Sequence, residues 1–165
     1  MESISKRLKE FNSVKGYFLS DKRALNYINT NLGIWDKHTL NGKIGALGIN
    51  RLVPDHQYGY FLQSIADDDV RQAVMDGDFS IFKILFHELS YLDEAKFIIT
   101  RFLCAHRPNY FPIWDVRKTL INNWQLENGN LTYLDLKLKI DDFMTENELS
   151  GLDYFLFNKL LWYCE

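Results

Sequence analysis

Cysteine and proline are scarce in this 165-residue chain, at two and three residues. The two thiols, Cys104 and Cys164, sit in apolar helical patterns without metal-type spacing, which excludes a disulfide framework and reads as buried free thiols. Long apolar runs are missing: none approaches the ~18 residues that suggest a membrane span. The first residues, MESISKRLKEF, are charged and lack the apolar core of a signal peptide. The charge imbalance is small, a net −3, which argues against a chain-wide electrostatic grip on nucleic acid and leaves a local basic face open. The four histidines, His38, His56, His87 and His106, show no ligand spacing, so no metal is expected. These absences describe a soluble, cytoplasmic protein with no membrane contact and no cofactor.

What the chain has in quantity is apolar and aromatic surface: 47% hydrophobic residues, with 12 Phe, 9 Tyr and 4 Trp. That is enough for one domain with a core of its own. Helical spacing recurs almost throughout. The spacing predicts short helices over Ile4–Phe11 and from Ser20 or Asp21 to Leu32. Asp55–Met75 follows, with Gly59 and the acidic run Asp67-Asp68-Asp69 as its candidate break points; the acids suit a helix N-terminus or a solvated surface. Ser80–Leu89, Leu131–Thr145 and Leu152–Tyr163 complete the set. Between Gly33 and Pro54 five Gly or Pro residues break the pattern, and loops with one short helix are expected. Gly42-Lys43-Ile44-Gly45 weakly resembles a phosphate cradle, and ordinary turn glycines explain it better. Leu136–Ile140 alternates like a strand but has no second alternating segment to pair with. The expected fold is therefore all-α, a single-domain bundle of about eight helices over residues 1–165.

One stretch carries more information than the rest: Ala95–Leu120, AKFIITRFLCAHRPNYFPIWDVRKTL. Phe97, Ile98, Phe102 and Ala105 recur at helical spacing, predicting a buried helix from Asp93 or Glu94 to His106. Pro108 ends it, since proline lacks an amide hydrogen and keeps its predecessor out of the helical region. Pro112 then holds an aromatic turn extended, and Asp115 stands where the N-cap of a following helix, Asp115–Trp124, belongs. Asp115 has two compatible readings, a structural cap and a working carboxylate on a rigid turn. Lys96 is a candidate nucleophile or an ordinary solvated lysine of a first helical turn. Arg101, His106, Arg107, Arg117 and Lys118 cluster in sequence and are candidates for a joint phosphate-facing patch. Tyr110 and Trp114 suit stacking on a base or burial in the core.

Residues Ile98–Val116, IITRFLCAHRPNYFPIWDV, resemble the helix-hairpin-helix DNA glycosylase superfamily (HhH-GPD). In its divergent bacterial members a helix ends in an asparagine- or arginine-proline pair, followed by a phenylalanine-proline-isoleucine-aromatic-aspartate turn. Leu152-Asp153-Tyr154-Phe155-Leu156 and Leu161-Trp162 are similar to the closing helix of those members. The resemblance covers roughly residues 80–165 and leaves 1–79 as N-terminal helices and an irregular loop. It implies a glycosylase-like helical fold acting in DNA repair as a hydrolase, with Asp115 as the catalytic aspartate. Lys96, nineteen residues upstream, would be the lysine of bifunctional members. The chemistry would be cleavage of an N-glycosidic bond, the amine attacking the anomeric carbon while the aspartate stabilises developing positive charge, after extrusion of the base. Two departures stand out. The family's hairpin is glycine-rich so that backbone N–H groups approach phosphate closely. Here Leu89–Ala95 has no glycine and two acids, and no cysteine cluster exists for an iron–sulfur site. The alternative is thus a non-catalytic helical module on the same scaffold, with a protein or nucleic-acid partner.

Overall fold

The structure, a computed structural model, describes residues 6, 7, 10, 19–124 and 131–164. Among these the regular structure is entirely helical, without a strand. In chain order the α-helices are α1 (Leu19–Thr30), α2 (Lys37–Leu47), α3 (Asp55–Ile65), α4 (Asp68–Asp76), α5 (Ser80–Leu89), α6 (Ala95–His106), α7 (Thr119–Asn123), α8 (Tyr133–Glu146) and α9 (Tyr154–Cys164). The alternating segment Leu136–Ile140 lies within α8 and is helical, as expected. The helix expected over residues 4–11 lies outside the described residues except at 6, 7 and 10, which are helical.

The largest departure from expectation is α2. The segment anticipated as loops forms an eleven-residue helix followed by a 3₁₀ turn, Ile49–Leu52. Asp36 starts α2, its carboxylate accepting from the Thr39 backbone at 3.0 Å and the Thr39 hydroxyl at 2.7 Å. Gly48, at φ 75°, closes it in the left-handed region that suits glycine. Gly42 lies inside the helix where Tyr27 presses close: a Cβ there would stand 2.5 Å from the Tyr27 hydroxyl. The supposed phosphate cradle is therefore helix interior. Burial of Leu40, Ile44 and Leu47 on one face outweighs the weak helix propensity of two glycines, each about 1 kcal/mol below alanine.

Asp67 caps α4, accepting from the Asp69 backbone at 2.8 Å, so the acidic run does mark a helix start. Thr132 and Asp135 form a reciprocal capping box at the start of α8. Helix α6 is the axis of the molecule. It is buried continuously from Ile98 to His106 and packs on α1, α2, α5 and α9. One cluster of buried apolar side chains runs from Ala24 in α1 to Cys164 in α9, so both halves of the chain share a core. Both cysteines are buried free thiols.

Candidate functional site

The segment after α6 is extended and irregular, yet Phe111 to Asp115 are all buried. A buried segment without regular structure must find partners for its backbone polar groups elsewhere. Several come from far along the chain. The Pro108 carbonyl accepts from the Tyr154 amide at 2.9 Å, the Pro112 carbonyl accepts from the Tyr133 hydroxyl, and the Trp114 amide donates to the Thr100 hydroxyl at 2.8 Å. The turn is thereby tied to α6, α8 and α9.

Asp115 is fully buried at the end of this turn. The expected helix Asp115–Trp124 shortens to α7, Thr119–Asn123, with Lys118 at its N-cap position. Asp115 closes the preceding turn instead: its Oδ1 accepts from the Arg117 amide at 3.3 Å and its carbonyl accepts from the Lys118 amide at 3.1 Å. The carboxylate also holds the Arg117 guanidinium through Nε at 2.9 Å and Nη2 at 3.3 Å. From α9, the Trp162 indole N–H donates to Oδ2 at 3.1 Å and the Asn158 amide to the same oxygen at 3.4 Å. Two oxygens thus accept from five N–H groups, close to all that their lone pairs can take. Arg117 is clamped in turn between the rings of Phe97 and Trp162, 4.0 and 5.0 Å from their centroids. Glu94 stands 3.8 Å from its Nη1.

Lys96 lies on the first turn of α6, its ammonium 4.4 Å from the centroid of the Trp114 ring and 5.5 Å from that of Phe86. It lines two clefts. The first, of about 310 Å³, also reaches Asp115, Arg117, Glu94 and Asp93, so the two proposed catalytic residues do border one space. The second, of about 580 Å³, lies between α5 and the start of α8.

The remaining candidates do not form a joint basic patch. Arg101 points inward, donating to the Leu47 carbonyl at 3.0 Å and pairing with buried Asp21 at 3.5 Å, where Lys159 also binds at 3.1 Å. His106 is buried: its Nδ1 meets the Phe102 carbonyl at 2.8 Å and its Nε2 meets Lys43 Nζ at 3.1 Å. Arg107 reaches the Met75 carbonyl at the end of α4 and stacks on Tyr110, 4.3 Å from its centroid. Lys118 is buried over the Trp162 ring at 3.5 Å. Trp114 is core, whereas Tyr110 is 46% exposed. The five candidates for a joint patch are dispersed, because buried acceptors hold Arg101, His106 and Arg117 and the end of α4 holds Arg107.

Several residues of these centres escaped the sequence reading. Asn158 and Glu94 gave no signal, their partners being far away in sequence. Lys43 did leave one. Leu40, Lys43, Ile44 and Leu47 follow the i, i+3, i+4, i+7 spacing of a buried face, visible once α2 is read as a helix. Lys43 is fully buried and donates to the Leu32 and Ile34 carbonyls at 3.3 and 3.0 Å as well as to His106. Burial brings this ammonium down to about 8. Burial, then the Lys43 charge, holds His106 down to about 3, so its imidazole is neutral and accepts at Nε2 while Nδ1–H donates to Phe102.

Among the described residues no group of three or more His, Cys, Asp or Glu stands together as metal ligands, and no helix is long and apolar enough to cross a membrane. Comparison with protein-family models, curated proteins and solved structures finds no match for this chain.

Proposed function

We propose that this chain is a non-catalytic helical binding module that keeps a glycosylase-like scaffold. The observation that carries this reading is the state of Asp115. A carboxylate that stabilises an anomeric cation must turn free lone pairs and uncompensated charge toward the substrate. Here both oxygens are occupied and a guanidinium lies 2.9 Å away, so the group acts as a structural anchor joining the turn to α9. The surroundings agree. The hairpin before α6 carries Asp93 and Glu94 in place of glycines, and both border the cleft that a DNA backbone would have to approach. Arg101, His106 and Lys118 are buried and unable to neutralise phosphates.

The second reading, a DNA N-glycosylase with lyase chemistry, is favoured by one observation: Lys96 and Asp115 line the same cleft. Borohydride trapping on duplexes carrying abasic sites or damaged bases separates the two, run beside Lys96→Gln and Asp115→Asn. The module reading expects neither adduct nor base release, and no duplex affinity at low salt. A covalent adduct that disappears in Lys96→Gln, or base release lost in a folded Asp115→Asn protein, would overturn it in favour of the enzyme.

A further inference from the structure

We infer that the cleft between α5 and the start of α8 binds a flat aromatic acid, its ring against an aromatic wall and its anionic group beside Lys83 and Lys96. This assignment rests on the binding-module reading and adds the class of ligand.

Three features carry it. The first is size: at about 580 Å³ the cleft falls in the range of small-molecule sites, about 300–1,000 Å³. The second is the shape of its wall. Phe82 and Phe86 lie 9° from parallel, Phe82 and Trp114 19°, and Trp114 and Tyr133 14°, with centroids 5.5–6.3 Å apart. Aligned faces and edges of this kind favour a flat, polarisable ligand over a branched aliphatic one. The third is charge. Among the described residues lining the cleft there are two lysines and no acid, in a chain of net charge −3. The adjoining cleft, which shares Phe86 and Lys96, carries Asp93, Glu94 and the Asp115–Arg117 ion pair. An anion is therefore favoured on one side of Lys96 and opposed on the other.

Trp114 adds an independent pointer. Its indole N–H is buried without an acceptor, whereas the Trp35 N–H donates to the Ile65 carbonyl at 2.6 Å and that of Trp162 donates to Asp115. A buried donor left unpaired is costly. Trp114 lines the cleft, and a carboxylate or carbonyl oxygen on the ligand supplies the acceptor once the indole N–H is uncovered.

The test is titration calorimetry of the full chain with three probes: indole-3-acetate, tryptamine and cyclohexylacetate. The first two share a ring and differ in charge; the first and third share a charge and differ in flatness. Indole-3-acetate is expected to bind, with the other two at least about tenfold weaker. The Lys83→Gln, Lys96→Gln double variant should weaken indole-3-acetate by about tenfold or more, and Trp114→Phe should weaken it while keeping the ring. Thermal melts check that each variant is folded, and the exposed Lys83→Gln alone serves if another is not. Tryptamine binding as tightly as indole-3-acetate overturns the assignment. So does the absence of heat with all three probes, or an affinity untouched in folded lysine variants. The module reading fails separately, by base release from DNA.

Discussion

Among the described residues Asp115 and Lys43 are charged groups buried completely, and their two centres solve the problem in opposite ways. At the end of the aromatic turn, Asp115 is an anion with a counter-ion: Arg117 faces it, and Trp162, Asn158 and a backbone amide take up the remaining lone pairs. Between α2 and α6, Lys43 is a cation bound to neutral acceptors, two backbone carbonyls and an imidazole, with the Trp35 ring 4.6 Å below. The contrast is chemical. Polar ligands without opposing charge satisfy the hydrogen bonds of an ammonium but offset less of its lost hydration, and its protonation weakens accordingly. The first centre ties α9 to the turn, and the second ties α2 and the segment before it to the end of α6. In both, the hydrogen-bonding capacity of the charged group is taken up by partners within the protein.

The comparison can be broken at its stronger end first. Asp115→Ala leaves Arg117, Trp162 and Asn158 without their common acceptor, and should cost about 3–5 kcal/mol of unfolding free energy. Asp115→Asn, which keeps the shape, should cost less. Urea unfolding measures both, and a loss under 1 kcal/mol for the alanine variant would remove the anchor role. Lys43→Met replaces the cation with an apolar chain of similar length and leaves two carbonyls and an imidazole nitrogen unpaired. The removed charge offsets part of that, so the expected loss is about 2 kcal/mol by the same measurement.

Titration sharpens the second centre. The folded pKa of His106, about 3, lies below its usual 6.5. The unfolded chain therefore binds the extra proton first, and stability attributable to His106 falls as pH drops below 6.5 toward 3. Between pH 6.5 and 5, above most carboxylate titrations, the loss should approach about 1.4 kcal/mol per pH unit and vanish in His106→Gln. Lys43, lowered from 10.5 to about 8, has the same sign in another window: stability should rise with pH from 8 to 10.5, and Lys43→Met should abolish that rise. Chemical denaturation across both windows tests the pair. The smallest effect is expected for Trp162→Phe, which keeps a ring for Arg117 and Lys118 but removes one donor to Asp115, for about 1 kcal/mol.

These centres also explain what could be read in advance. Helix α6 and its end at Arg107-Pro108 were legible because both signals are local: 3.6-residue periodicity and the stereochemistry of proline. The start of α4 at the acidic run was legible for the same reason, a cap acting within three residues. Helix α2 was not, because its glycines weaken the local signal and its stability comes from packing against α1, α3 and α6. The candidate site divides along the same line. Lys96 and Asp115 were singled out from sequence and do border one cleft.

The sequence by itself determined an all-helical chain, most of its helix spans, and an acidic residue held on a rigid aromatic turn, since each depends on neighbours a few positions away. Only the tertiary structure decided what the charged residues do. Asp115 meets partners 43 and 47 positions later, Lys43 meets one 63 positions later, and Arg101 meets one 80 positions earlier. Whether a charge faces solvent, a substrate or a buried partner depends on such contacts, which no local period encodes.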